Sequence, residues 1–130
     1  MIFEILYNTR FVYSSENDLV TPTIGYWVAA VYDKKWYVGK VLEVDSADGD
    51  AYISFMEASR KSEATFKMPS EPDEIWIKFQ SILAIIEPPS PCGKTRRQYK
   101  FNTDTVQMIT QLHSKWLTSK ASKGQTNSKE

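Results

Sequence analysis

The feature that most constrains the fold is a series of short apolar runs between residues 24 and 87, separated by polar segments. Within several runs apolar and polar residues alternate, as at Ala51, Ile53 and Phe55. A period of two, with turn signals about every eight to twelve residues, is typical of antiparallel β structure. We therefore expect a mainly β fold, built as a small and strongly bent antiparallel barrel.

Turn and bend signals divide this region. Residues 26–32 are rich in aromatic and β-branched residues and stop at Asp33-Lys34-Lys35, which predicts a hairpin loop. The run 36–44 is apolar at one parity up to Val41 and at the other from Leu42 onward, so it predicts a bulge or a sharp bend. Asp48-Gly49 predicts the next hairpin, because glycine tolerates a positive φ.

The remaining β signals lie on either side of these hairpins. Alternation or β-rich composition predicts further strands, and residues 1–14 are expected to add an N-terminal β extension. Pro88-Pro89 ends the sheet, because proline has no amide hydrogen to donate. The later predicted strands are residues 51–56, 64–68, 75–79 and 82–86.

One amphipathic helix is predicted over residues 102–118. Asn102 or Thr103 is placed to cap it, and Val106, Ile109, Leu112 and Trp116 form one apolar stripe. A helix of this length is marginal alone in water, so we expect it to dock on the barrel domain of residues 1–101. The alternative is that its apolar stripe forms the seam of a dimer or of a partner complex. The polar, lysine-rich residues 119–130 are predicted to be disordered.

Composition excludes several classes of protein. A chain of 130 residues accommodates one domain, and the single cysteine and single histidine exclude an internal disulfide and a structural zinc site. The isolated glycines form no phosphate-binding loop, and His113 lies within the predicted amphipathic helix, far in sequence from any candidate catalytic partner. We therefore expect no enzymatic activity, no metal and no cofactor.

The zero net charge conceals a division along the chain. Residues 1–93 contain 8 Lys and Arg against 14 Asp and Glu, whereas residues 94–130 contain 8 against 2. The acidic body is suited to a basic partner and the basic tail to an anionic one, unless both are simply solvated surface.

No apolar run approaches the roughly 18 residues that would indicate a membrane span. Met1-Ile2-Phe3-Glu4 also lacks the basic and long apolar regions of a secretory signal. We expect a soluble, intracellular monomer that does not use a membrane.

Three segments resemble a known family. They are residues 25–32, 36–41 and 52–55, which read GYWVAAVY, WYVGKV and YISF. Their order is similar to that of Tudor-like domains, a branch of the five-stranded barrels related to Src-homology modules, over about residues 24–87. The resemblance implies a five-stranded barrel and recognition of methylated lysine or arginine on chromatin- or RNA-associated proteins, in a nuclear setting.

By position, the resemblance implies an aromatic cage of Tyr32, Tyr37 and Phe55. Residues 56–60 contain no ring where the family usually places a fourth aromatic residue. Trp36 or Trp76 is then the candidate to complete the cage, and Asp33 or Glu57 the candidate for an anionic wall. The alternative is that Tyr37 and Phe55 only pack the barrel.

A basic segment carries a second hypothesis. Its charges and rings suit phosphates and stacked bases of RNA or DNA, in a nucleic-acid-binding barrel. Alternatively, its aromatic residues anchor the linker onto the barrel, or the whole chain is a plain protein-interaction scaffold. The candidate residues are Lys94, Arg96, Arg97, Tyr99 and Lys100.

Overall fold

The computed structural model describes residues 21–59, 64–93 and 97–129, with side chains of the helix described as far as residue 119. This part of the chain is mainly β, with two antiparallel sheets and one C-terminal helix. The predicted N-terminal extension of residues 1–14 lies outside the described residues, as do Lys94 and Arg96. The elements are β1 (Trp27–Tyr32), β2 (Lys35–Asp45), β3 (Asp50–Phe55), β4 (Glu57–Ala58), β5 (Thr65–Lys67), β6 (Asp73–Lys78), β7 (Ile82–Ile86), β8 (Ser90–Pro91), β9 (Gln98–Lys100) and α1 (Thr103–Lys129).

The larger sheet has the strand order β6-β3-β2-β1-β7. Asp33 and Lys34 form a two-residue turn between β1 and β2, with φ values of 53° and 69°. Lys35, which the sequence placed in a three-residue loop, pairs instead with Tyr32. The reason is that positive φ at both central residues matches the twist of the strands and shortens the loop.

The predicted irregularity in β2 is confirmed. The register between β2 and β3 shifts between Val41 and Glu43. A one-turn 3₁₀ helix, Phe79–Ser81, then leads the chain from β6 into β7, which pairs with β1. In the described part, β6 and β7 are the two edges of this sheet and no ladder joins them. Closure into a five-stranded barrel stays a prediction.

The larger sheet has an apolar core on each of its faces. On the face called inner here, Val28, Ala30 and the β3 residues Ile53 and Phe55 belong to one buried cluster. On the opposite, outer face, alternate residues such as Ala29 belong to a second cluster that includes residues of α1 and of the smaller sheet. Alternation therefore divides each strand between two cores.

Gly39 lies where β2 and β3 approach most closely. A Cβ at this position would lie 2.6 Å from Ile53 Cγ2, 2.6 Å from the Ser54 carbonyl oxygen and 3.0 Å from Phe55 Cδ1. Because one of these neighbours is backbone, the space cannot be opened by a change of rotamer alone. Only glycine fits at this position without a shift in β3.

The smaller sheet has the order β4-β5-β9-β8. Residues 88–93, predicted from the sequence to be a stiff linker, contribute the short strand β8, and the basic segment contributes β9. Pro91 is tolerated because β8 is an edge strand. Phe66 of β5 and Phe101 after β9 meet edge to face, with centroids 5.3 Å apart, and both are buried. These rings hold the smaller sheet against the outer face.

Helix α1 packs on the same core. Asn102 Oδ1 accepts a hydrogen bond of 2.8 Å from the Asp104 amide, as expected of an N-cap. Val106 and Ile109 are buried in the outer-face core, and Trp116 packs partly against it. The helix continues to Lys129, past the end predicted at residue 118 and through residues predicted to be disordered. The apolar stripe marks the portion of the helix that packs against the outer-face core.

We expect Ile109→Ala to lower the free energy of unfolding by about 2–5 kcal/mol, because it leaves a cavity under the helix. Chemical denaturation would measure the change, and Gln111→Ala, at an exposed position of the same helix, is the control. Equal midpoints for the two variants would contradict docking of α1 on this core.

Gly39→Ala should lower the free energy of unfolding by about 1–3 kcal/mol, because the added methyl group overpacks the β2–β3 contact. Lys40→Ala, at the next and exposed position, is the control, and thermal or chemical unfolding gives both values. A Gly39→Ala protein as stable as the parent would show that β3 yields easily.

Candidate functional site

The centre of the candidate site is a pair of rings on the inner face. Tyr37 of β2 and Phe55 of β3 have centroids 5.8 Å apart, with planes inclined at 61°, an edge-to-face contact. Phe55 is only 2% exposed, whereas Tyr37 is half-buried. Gly39, the direct partner of Phe55, leaves the room that the Phe55 ring occupies beside Tyr37. The pair is part of the inner-face core and lies at the end of the sheet where β1 and β3 end, with Tyr37 partly exposed. We call this end of the core its open end.

Tyr32 lies on the same face and is 49% exposed. It ends β1, two residues after Ala30, which is the direct partner of Tyr37. In the described part its ring makes no contact with the Tyr37–Phe55 pair. Asp33 follows in the exposed turn. The structure therefore brings Tyr37 and Phe55 together and leaves Tyr32 beside them as an accessible ring.

Asp73 is a residue of this site that was not predicted from the sequence. This residue begins β6 and is the direct cross-strand partner of Phe55, so its carboxylate belongs to the same face and the same end of the sheet. The sequence placed residues 70–74 in a loop. Extending the alternation of Ile75 and Ile77 back by one more step of two residues would have identified Asp73 as an inner-face position.

Trp36 and Trp76 do not join these rings. Trp36 packs on the outer face, with its ring centroid 6.2 Å from that of Phe66. It also borders a cleft of about 450 Å³ that is lined by residues of α1. Trp76 also lies on the outer face, because it alternates with the inner-face residues Ile75 and Ile77 of β6. Neighbouring side chains along a strand lie on opposite faces of the sheet. Trp36 therefore lies on the face opposite to Tyr37, and Trp76 on the face opposite to Ile75 and Ile77.

Glu57, the other candidate for an anionic wall, lies in the smaller sheet. Its Oε2 is 4.0 Å from Lys67 Nζ, and both side chains are about half exposed. This arrangement compensates part of its charge. Asp33 directly follows Tyr32 at the end of β1, and Asp73 is the cross-strand partner of Phe55.

The described part of the basic segment is largely used in packing. Arg97 Nη2 donates hydrogen bonds to the Met68 carbonyl at 2.9 Å and to Ser70 Oγ at 3.5 Å. Tyr99 is half-buried, with its ring 6.5 Å from that of Trp27, while Lys100 is exposed. This geometry supports the alternative in which the rings anchor the segment to the protein. Nucleic-acid binding stays a prediction.

A second aromatic pair lies on the outer face of the larger sheet, away from α1. Tyr52 of β3 and Trp76 of β6 are direct cross-strand partners, with centroids 5.1 Å apart. The Tyr52 hydroxyl donates a hydrogen bond of 3.3 Å to Glu74 Oε1, and Glu43 of β2 is the other cross-strand partner of Tyr52. We call these four residues the Tyr52–Trp76 face.

The electrostatics of this face are acidic. Partial burial raises the pKa of the Tyr52 phenol, and the charge and hydrogen bond of Glu74 raise it further, with a smaller contribution from Glu43. Each effect disfavours the phenolate, because a second negative charge would lie beside the carboxylates. No sequence pattern indicated this cluster, because its members come from three strands.

His113 connects α1 to the β1–β2 turn. Its Nε2 lies 2.9 Å from the Lys34 carbonyl oxygen, a contact in which the protonated Nε2 donates. Lys34 directly follows Asp33 in the turn that ends beside Tyr32. The helix docked on the outer face is therefore tied to the loop next to the candidate site.

Comparison with protein-family models, with curated proteins and with solved structures finds no match. Within the described residues, no helix is long and apolar enough to cross a membrane. Over the same residues, no three His, Cys, Asp or Glu side chains are grouped so as to hold a metal ion.

We expect Glu74→Gln to lower the pKa of Tyr52 toward its ordinary value, because the substitution removes the adjacent charge while keeping an acceptor for the hydroxyl. A titration followed by NMR of the assigned Tyr52 ring carbon would measure it. Glu71→Gln, at an exposed loop position, should leave that pKa unchanged. An equal effect of both changes would contradict a local influence of Glu74.

Proposed function

We propose that this chain is a non-enzymatic recognition module that binds a basic peptide, carrying methylated lysine or arginine, at the open end of the inner face. The observation that carries the proposal is the Tyr37–Phe55 ring pair with the accessible Tyr32 on the same face. The proposed setting is a chromatin- or RNA-associated protein in the nucleus, with the module acting as a monomer and without a cofactor.

Strand topology supports the finer proposal of a Tudor-like five-stranded barrel. Three features favour it: the bulge in β2, the 3₁₀ turn between β6 and β7, and the return of β7 to pair with β1. The 3₁₀ turn is the connection between the two edge strands, β6 and β7. A barrel formed in this way would enclose the inner-face core and leave its rings accessible only at an end.

The chemistry of the rings suits a methylated cation. Methylation preserves the positive charge of an ammonium group but removes hydrogen-bond donors and hydration, so the group gains from contact with π-faces. Tyr37 and Tyr32 provide such faces, and the edge-to-face contact with the buried Phe55 ring holds Tyr37 in place. The carboxylates of Asp73 and Asp33 would add attraction for the charge. Each exposed ring is worth about 0.5–1 kcal/mol, and more where the cation is desolvated.

We expect Tyr37→Ala to weaken binding to a methyl-lysine or methyl-arginine peptide by about 1–2 kcal/mol, because one wall of the site is lost. An array of methylated and unmethylated histone peptides would first identify a ligand, and isothermal titration would then give the affinities. Tyr32→Ala should also weaken binding, with less risk to the fold because Tyr32 is exposed.

Tyr26→Ala is the matched control. Tyr26 is 44% exposed and precedes β1, at the end of the strand opposite to Tyr32, so its loss should leave affinity unchanged. Tyr37→Phe should retain most of the affinity, because the ring remains. The proposal fails if no methylated peptide binds more tightly than its unmodified counterpart, or if Tyr26→Ala and Tyr32→Ala weaken binding equally.

A further inference from the structure

We propose that the Tyr52–Trp76 face binds an arginine side chain of a basic partner peptide, at a surface separate from the inner-face site. Trp76 is 45% exposed although it is a large aromatic residue in a regular strand. Its ring rests against Tyr52 at 5.1 Å, so its position is held by a neighbour and one face is left for a ligand. Ordering this platform therefore costs little at the moment of binding.

The acidic groups of this face are placed beside the rings. The hydrogen bond from the Tyr52 hydroxyl holds the Glu74 carboxylate at the edge of the ring pair. Glu43 approaches Tyr52 from the opposite strand. Among the described residues, neither glutamate forms an ion pair with Lys or Arg. Two carboxylates therefore remain to receive a cation that lies over the rings.

Nearby lysines do not neutralise the face. Asp50 and Lys78 are the next cross-strand pair on the same face after Tyr52 and Trp76. Lys78 Nζ lies 3.1 Å from Asp50 Oδ1, so this lysine already has an acidic partner. Lys40 lies one row away on the other side, opposite Ser54. The outward positions of these three rows keep an acidic balance, with Glu43, Asp45, Asp50 and Glu74 against Lys40 and Lys78.

Arginine fits this arrangement better than lysine. Its planar guanidinium stacks on an indole ring while its N–H groups donate in the plane to carboxylates at the ring edge. A lysine ammonium is a compact point charge that cannot do both at once. Arg97, the arginine among the described residues, is already held by the Met68 carbonyl and is therefore not the occupant, so we assign the occupant to a partner peptide that complements the acidic charge.

The two surfaces are distinguishable because they lie on opposite faces of β3 and β6. Phe55 and Asp73 alternate with Tyr52 and Trp76 along their strands. Arginine binding at the Tyr52–Trp76 face requires no methyl group and no contribution from Tyr37. Either surface can therefore fail in experiment without affecting the case for the other.

The test uses the full chain and a fluorescent peptide of sequence Gly-Arg-Gly-Arg-Gly, followed by anisotropy, with lysine and citrulline peptides of the same length for comparison. The arginine peptide should bind most tightly. Trp76→Ala should weaken its binding about two- to fivefold, as expected for loss of one exposed cation–π contact. Trp76→Phe should retain most of the affinity, and Tyr26→Ala, at an exposed ring outside both surfaces, should leave it unchanged.

Glu74→Gln should weaken binding of the arginine peptide and reduce its dependence on salt, whereas Glu71→Gln, with the same change of charge, should do neither. These surface variants keep the test decisive if Trp76→Ala does not fold. Equal affinity for the arginine and lysine peptides would overturn the proposal, as would unchanged binding by both Trp76→Ala and Glu74→Gln. Concentration-dependent self-association that Trp76→Ala abolishes would also overturn it, because the occupant would then be a second copy.

Discussion

Burial of β1 on both faces is the constraint on which the rest of the structure depends. Val28, Ala29 and Ala30 have no exposed surface, because the inner-face core lies on one side and the outer-face core on the other. A strand covered on both sides reads as a continuous apolar run rather than an alternating one. The two small alanines allow both layers to approach, so the position of α1 and the depth of the inner core are set by the same strand.

The inner face shows how packing and recognition share residues. Phe55 is a core residue by its burial, yet its edge contact fixes the ring of Tyr37 at the open end. That contact exists because Gly39 lacks a side chain where Phe55 crosses β2. The interpretation of Tyr37 and Phe55 as core residues and the interpretation of them as a binding site are therefore compatible. Rigid support from the core is what a preorganised site requires.

Local sequence patterns predicted the elements well, because they depend on neighbouring residues. The bulge in β2 followed from the change of parity after Val41, and residues 82–86 form β7 as predicted. The patterns did not predict which strands are neighbours, since register depends on contacts distant in sequence. For that reason Trp36 and Trp76 were grouped with Tyr37, and residues 88–93 were predicted to be a linker. Pairing between the strands instead separates the tryptophans from Tyr37 and joins β8 to β9.

The same limit explains the candidate site. A single strand shows the parity of its own residues, so the inner-face position of Tyr37 could be predicted from the sequence. The partnership of Phe55 with Asp73 and that of Tyr52 with Trp76 both depend on the alignment of β3 with β6. Seventeen residues lie between Phe55 and Asp73 in the sequence, and no short pattern spans such a distance. Charge and aromatic clusters assembled in this way become visible only in three dimensions.

The hydrogen bond between His113 and the Lys34 carbonyl links α1 directly to the β1–β2 turn. Lys34 and Asp33 both hold positive φ, a conformation that residues other than glycine adopt at some cost, and the imidazole is one of the groups that hold the turn in place. Displacement of α1 would remove this donor from the turn beside Tyr32, so the position of the helix and the geometry of the turn depend on one another.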